Sequence, residues 1–404
     1  MTDVNRKHPE PSLAEREALL LGAPLGRDFL GTFVDHALDH TLFTSLGLGD
    51  VPGTATFVVE DDGPGTRPRS RTVRHRKRRN WHEVPAGEVR ALLREAVARE
   101  EWRAALAELD EARMLENLSG PAEMFGFGGG DVVVWRLTAL AAEELRPVAA
   151  ALVRSPATAW WWDPVERSDQ RQLVWTEPDR DAGAGAGAGE GGGLAGVEEA
   201  MRRDMARERA ANRPRRRGGP RRGQRGLGAV WWSAPDFAAG TWTTGPRGGL
   251  PALELGRFVD TFTPFDETTG TVVSLTVGGE ARVAEIRGPQ DWRELVTRFP
   301  RDVSVTHNGE WRDWGDADGP WYLPDWEALA EHYDGVHVTV GGYLSSCGLA
   351  QPVLDGHTML AGWVPDATVW VRDVAMRHRR LGVWHGHPQD AGDWEELLPG
   401  WRPL

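Results

Sequence analysis

Apolar positions along the first 150 residues recur with the period of a helix. Ser12 stands where an N-cap is needed, and Glu15 follows three residues later, the spacing of a capping box. Leu19, Leu20 and Leu21 then lead to Gly22, which predicts a short helix ended by glycine. Val89, Leu92, Leu93, Ala96, Val97, Leu106, Leu109 and Met114 follow a period near 3.6 and predict one long helix over Ala86–Leu118, stopped by Ser119-Gly120-Pro121. Leu140–Val153 predicts another, kinked or restarted near Arg146 because Pro147 costs about 3 kcal/mol inside a helix.

Short alternating or β-branched runs predict strands at Thr54–Glu60, Asp131–Trp135, Arg171–Thr176, Trp231-Trp232, Thr271–Val277, Arg282–Ile286, Val336–Val340, Thr358–Trp363 and Thr368–Arg372. Helices are expected between them at Pro289–Phe299 and Pro324–Tyr333. Helices come first, and strands with few, irregular helices come after. This order predicts an α+β fold: a helical N-terminal region followed by a mixed, partly antiparallel sheet domain with flanking helices.

Composition sets the boundaries. Residues 1–154 form the mainly helical region, interrupted by a Gly/Pro/Arg-rich basic loop at 61–80. Residues 155–178 and 228–404 form a Trp-rich α+β domain. Between them, residues 179–227 hold the low-complexity run Ala182–Gly193 and an Arg-rich stretch, and are expected to be a flexible surface insertion. The glycines of Phe125–Gly130 precede a strand rather than a helix, so they do not match a phosphate-cradling loop.

The charge is unevenly spread. The 404 residues carry a net charge of −13, and Lys7 and Lys77 are the only lysines. Arg67–Arg79 holds eight positive charges and no acid. Arg202–Arg225 holds eleven arginines against Asp204 and Glu208. Removing the 17 net positive charges of these tracts leaves the remainder at −30. Arginines so grouped can neutralise phosphates or grip an acidic partner. Arg74, Arg76, Arg78, Arg79, Arg215, Arg216, Arg217, Arg221 and Arg222 are the candidate contacts. The alternative is a solvated loop offsetting the acidic body.

Other classes are excluded. One cysteine, Cys347, cannot make an intramolecular disulfide or a multi-cysteine zinc site. No run of about 18 apolar residues exists for a membrane span. The polar stretch Met1–Pro11 lacks a signal-peptide core, so a soluble, cytoplasmic protein is expected. His385-Gly386-His387 is too weak a pair to predict a metal. His36 and His40 lack the glutamate of a metalloprotease helix, since Ala37 stands there.

Twenty tryptophans are more than one site can use, and most are expected in the core. The pattern Asp-Trp-x-x-Leu occurs at Asp291, Asp325 and Asp393. An aspartate there suits the first turn of a helix, with Trp and Leu on one buried face. The densest polar constellation is Asp334–Tyr343. On a strand, His337 and Thr339 would share one face while Val336, Val338 and Val340 face the core, with Gly341-Gly342 admitting a backbone or ligand. His337, Thr339 and Asp334 are the candidate catalytic residues; Tyr343, Trp326 and Trp363 are the candidate ligand-binding residues. The bland alternative is a buried histidine paired with Asp334 or a carbonyl. The nature of any cofactor stays open.

Three stretches carry a resemblance: Trp321–Trp326, Tyr333–Leu344 and Ala361–Trp370, supported by Ala284–Trp292 and Trp160-Trp161-Trp162. Together they resemble an uncharacterised family of Trp-rich actinobacterial proteins over roughly 155–372, outside the insertion. The resemblance implies a domain and a bacterial cytoplasmic setting, and no reaction. More remotely, His337 and Tyr343 are similar to the strand histidine and nicotinamide-stacking tyrosine of one class of ADP-ribosyltransferase. Their spacing of six is short, and no glutamate stands near Ala367. The leading expectation is therefore binding or processing of a nucleotide-like or other polar small molecule near His337. The alternative is a regulatory or interaction protein that binds nucleic acid or an acidic partner through its arginine tracts. An ADP-ribosyltransferase-like enzyme is the lesser alternative.

Overall fold

A computed structural model describes residues 10–38, 55–59, 81–110, 113–114, 117–118, 142–176, 199, 202–203, 205–206, 209, 230–234, 241–246, 268–315, 317–372, 376–386 and 402–403. The glycine run 125–130, the strand expected at 131–135, His40, His387 and the third Asp-Trp motif lie outside them, as do all of 61–80 and most of 179–227.

The chain opens with α1 (Leu13–Gly22), where Ser12 and Glu15 close the capping box from both sides. α2 (Pro24–His36) follows after one residue, started by Pro24. Next come β1 (Ala55–Val59), β2 (Trp81–Pro85), α3 (Ala86–Ala98), α4 (Glu101–Ala107) and α5 (Ala142–Leu152). The single helix expected over Ala86–Leu118 is thus broken at Arg99–Glu100. Trp102 then turns its indole back onto the Val97 carbonyl at 2.9 Å. α5 runs as one helix through Pro147 and does not restart near Arg146.

A 3₁₀ turn, Pro156–Trp162, leads into β3 (Gln170–Thr176) and β4 (Thr241–Thr244). β5 (Thr268–Val277), β6 (Val283–Ile286), α6 (Pro289–Arg298), β7 (Pro300–Asp302), α7 (Ser304–Gly315), β8 (Tyr322–Pro324) and α8 (Trp326–Ala330) follow. The chain then forms β9 (Gly335–Val338), α9 (Val340–Ser346), β10 (Gln351–Val353), β11 (Gly356–Thr358), β12 (Ala367–Trp370), β13 (Met376–Gly386) and β14 (Arg402–Pro403).

The main sheet has the order β14-β13-β5-β3-β4-β12-β9-β6. Its pairs are antiparallel except β6 with β9, which run parallel, so the fold is α+β with a mixed sheet. β1 and β2 form a separate parallel pair.

One continuous apolar cluster joins the helical region to the sheet. It runs from Leu20 and Phe29 through Trp161 and Trp162 to Val336, Val338 and Val369. Eight tryptophans are fully buried among the described residues: Trp102, Trp161, Trp162, Trp292, Trp311, Trp321, Trp326 and Trp363. The Asp-Trp motifs anchor helices, though not identically. Asp325 caps α8 by accepting from the Ala328 N–H. Asp291 sits inside the first turn of α6 and accepts from the Arg287 N–H. Trp292, Leu295, Trp326 and Leu329 are all buried, as the spacing requires.

Close backbone approach explains two glycines of α9. A β-carbon at Gly342 would stand 2.0 Å from the Ile286 carbonyl oxygen, and one at Gly341 would stand 2.2 Å from the Trp162 ring. Gly342→Ala is therefore expected to lose about 1–3 kcal/mol, as other overpacked cores do. Urea denaturation measures this, and an unchanged midpoint would contradict the packing.

α2 is buried on nearly every side and carries an acid inside. Asp28 is 1% exposed and its Oδ1 has no hydrogen-bond partner. Burial pushes its carboxyl up to about 7. The folded state holds this proton more tightly than the unfolded chain, so stability falls as pH rises from about 4 through 7. Asp28→Asn is expected to add roughly 2–4 kcal/mol at pH 8 and little at pH 4. Denaturation at both pH values checks this; an equal effect at the two would contradict it.

Candidate functional site

β9 ends at Val338, earlier than the alternation suggested. Thr339 is the N-cap of α9, and Val340 is already helical. The Thr339 hydroxyl accepts from the Gly342 N–H at 2.9 Å and donates to the Ile286 carbonyl at 3.2 Å. Thr339 therefore does not share a strand face with His337. The two glycines admit the Ile286 backbone and the Trp162 indole, which fill the space a ligand would need.

His337 faces away from the main core, because Val336 and Val338 on either side face into it. Strand register aligns Glu285, His337, Thr368 and Thr243 in one row across β6, β9, β12 and β4. The row is polar and nearly sealed. His337 is 1% exposed and Thr368 and Thr243 are 0% exposed. The His337 Nδ1 lies 2.6 Å from the Glu285 carboxylate, and its Nε2 lies 3.3 Å from the Asp366 carboxylate. Glu285 is held in turn by the Val165 N–H at 3.1 Å. Asp366 reaches in from a turn where its own backbone is left-handed, at φ 59°. The row continues as Thr243 donates to Gln170 at 2.6 Å and accepts from the Trp370 indole at 2.9 Å.

Burial alone would lower the affinity of the imidazole for its second proton. The two carboxylates outweigh that and push His337 up to about 9. At neutral pH the group is an imidazolium clamped between two acids. Both ring nitrogens are then donors, which suits the two carboxylate partners. A cation so pinned is a poor general base, and its enclosure keeps substrate from it.

The partners differ from those the sequence suggested. Asp334 does not pair with His337. It accepts from the Arg282 backbone N–H at 2.7 Å and from its side chain at 3.3 Å, with Arg372 nearby at 3.9 Å. Burial pushes its carboxyl up, but the Arg282 backbone N–H, then the Arg282 and Arg372 guanidiniums, hold it below the usual range. Tyr343 is fully buried on α9 in the main core, across β9 from the His337 row. His337 and Tyr343 therefore do not line one pocket, as nicotinamide stacking would need. Trp326 and Trp363 are fully buried as well. The Trp363 indole donates to the Ala367 carbonyl at 3.2 Å and packs against Trp242 and Trp292.

Glu285 and Asp366 were the residues the sequence reading missed. Glu285 had a signal: a lone acid in the strand Val283-Ala284-Glu285-Ile286. It shares parity with Val283 rather than with the core-facing Ala284 and Ile286. Asp366 gave only a Pro-Asp turn signal.

A second histidine, His307 on α7, is also buried. Its Nδ1 lies 2.7 Å from the Thr306 hydroxyl and its Nε2 lies 3.0 Å from the Trp232 carbonyl. No carboxylate compensates here, and burial lowers it to about 4. Cys347 is buried, and burial pushes its thiol well above the ordinary range. Among the described residues no group of three or more His, Cys, Asp or Glu is placed to hold a metal ion. No helix among them is long and apolar enough to cross a membrane.

The nine arginines singled out in the two tracts lie outside the described residues. Arg202, Arg203 and Arg209, from the start of the second tract, are described and all are exposed. Arg202 meets Glu199 at 2.7 Å, an exposed pair of the kind worth little in water. No protein-family model, no curated protein and no solved structure matches the chain.

Proposed function

We propose that this protein binds a polyanion, nucleic acid in the first instance, through its two arginine tracts, and that the tryptophan-packed α+β body is their rigid carrier. The observation that carries the reading is the charge segregation. Seventeen net positive charges are gathered in two short tracts, against −30 on the rest of the chain. The exposure of Arg202, Arg203 and Arg209 supports it. So does the sealing of His337, which leaves the leading small-molecule site without an opening.

Fluorescence anisotropy with short duplex and single-stranded oligonucleotides tests the proposal, run at several salt concentrations. The comparison is a variant in which Arg74, Arg76, Arg78, Arg79, Arg215, Arg216, Arg217, Arg221 and Arg222 are serine. Binding that weakens steeply with salt in the native chain and is lost in the variant supports the reading. Absence of binding at low salt overturns it, and binding of an acidic protein instead would replace it.

A second reading keeps a polar small molecule at the His337 row. One observation favours it: the Thr368 hydroxyl beside His337 is fully buried and has no hydrogen-bond partner. A thermal-shift screen with nucleotides addresses this, since ligand at 100 times its Kd adds about 2.7 kcal/mol. A flat screen removes the second reading.

A further inference from the structure

A cleft of about 520 Å³ opens between α3, α4 and α5, and no residue of the His337 row lines it. Its volume falls in the range of small-molecule sites, about 300–1,000 Å³. Arg94, Val97 and Ala98 of α3 and Arg103 of α4 form one side. Glu143, Glu144 and Pro147 of α5 form the other.

The break between α3 and α4 builds the first wall. The Trp102 indole donates to the Val97 carbonyl at 2.9 Å, which ties the start of α4 back onto the end of α3. The buried Trp102 ring in turn carries the Arg103 guanidinium, centred 4.4 Å above it. A guanidinium resting on a ring face is held in place by the cation–π attraction.

Pro147 shapes the second wall. Proline has no N–H, so the Glu143 carbonyl one turn back receives no α-helical hydrogen bond. A helical carbonyl points toward the residue four positions on. Glu143 and Pro147 both line the cleft, so this spare acceptor lies in its wall.

The charged side chains are tied by pairs with at least one exposed partner. Arg94 meets Glu144 at 2.9 Å, Arg103 meets Glu100 at 3.1 Å and Arg146 meets Glu143 at 2.9 Å. Such pairs hold weakly in water and can be exchanged for the charges of a ligand. The lining thus sets two cations on one side against two anions and a spare carbonyl on the other, with apolar surface from Val97, Ala98 and Pro147. A ligand of a single sign gains at one wall and loses at the other.

We propose that this cleft binds a zwitterion of about dipeptide size. Its carboxylate faces Arg94 and Arg103. Its ammonium faces the Glu143 and Glu144 carboxylates and the Glu143 carbonyl, and an aliphatic side chain covers the apolar surface. The proposal does not rest on polyanion binding.

Isothermal titration of the full chain with leucyl-leucine tests this. The controls are N-acetyl-leucyl-leucine and leucyl-leucinamide, each of which keeps one of the two charges. A ligand of this size with ordinary use of its atoms binds with a Kd of roughly 0.1–1 mM. Removing either charge should weaken binding at least ~10-fold, the scale of a hydrogen bond to a charged group.

Three variants locate the site. Arg103→Gln and Glu143→Gln each remove one charge from an exposed side chain, and each should weaken leucyl-leucine at least ~10-fold. Pro147→Ala changes no charge. It returns an N–H to α5 and closes the Glu143 carbonyl into the helix. It should raise the thermal midpoint and yet weaken leucyl-leucine by about 3–10-fold. A proline with only a structural role would change the midpoint and leave the affinity alone.

No binding of leucyl-leucine up to about 10 mM overturns the proposal. Equal affinity for the singly charged controls overturns the recognition of both charges. Affinity unchanged in all three variants overturns the location. Affinity lost in the two charge variants but kept in Pro147→Ala overturns the role given to the Glu143 carbonyl.

Discussion

Raising salt from 50 to 200 mM is expected to weaken oligonucleotide binding by about 10³–10⁵-fold, the range for six to ten phosphate contacts. The reason lies in counterions. Each phosphate neutralised on a duplex releases condensed cations, so log K falls with log salt at about −0.9 per contact. Nine engaged arginines would give a slope near −8, and a single-stranded target a shallower one near −6. The acidic body works in the opposite direction, repelling the same target over a range that salt shortens. A slope clearly below the number of engaged arginines therefore measures how far the body offsets its own tracts. Replacing only Arg74, Arg76, Arg78 and Arg79 by serine should reduce the slope by about 3 to 4 on a duplex if the first tract takes part. A salt-insensitive affinity, or a slope that no arginine replacement changes, would place recognition elsewhere.

Replacing His337 by asparagine is expected to cost about 3–5 kcal/mol, because it leaves the buried Asp366 and the partly buried Glu285 carboxylates without their shared cation. The pH dependence separates this from mere loss of packing. His337 binds its proton more tightly folded, up to about 9, than unfolded, near 6.5. The stability it contributes is full below pH 6.5 and is lost as pH rises through about 9. Urea denaturation of the native chain should show that alkaline decline, worth about 3 kcal/mol, and His337→Asn should flatten it. His307 gives the opposite sign. It resists protonation when folded, so its contribution is complete above pH 6.5 and fades as pH falls toward 4. A parallel alkaline decline in the native chain and in His337→Asn would show that the imidazolium is not the group responsible.

What the residues decide locally was legible without coordinates. Ser12 and Glu15 close a capping box whatever lies beyond them, because the partners are three residues apart. Asp325 caps α8 for the same reason. Strands at Thr271–Val277, Arg282–Ile286 and Thr368–Arg372 were marked by short β-branched runs and appear within a few residues of those bounds. The α+β class followed from the order of the elements, and the two arginine tracts from counting charge.

Tertiary structure decided the rest. Trp231-Trp232 and Thr358–Trp363 have strand-like composition, yet most of those residues are buried outside any strand, since the packing supplies hydrogen-bond partners other than a ladder. Gly341-Gly342, expected after a strand and there to admit a backbone or a ligand, sit inside α9, where the Ile286 carbonyl and the Trp162 ring leave no room for side chains. α2 carries Asp28 into the interior, which composition gave no reason to expect. Above all, His337 meets Glu285 and Asp366, which lie 52 and 29 residues away along the chain. Sequence spacing names the residues that share a strand face. Only the register of β6, β9 and β12 brings the two acids to one imidazole, and that contact turns a candidate catalytic histidine into a clamped, enclosed cation.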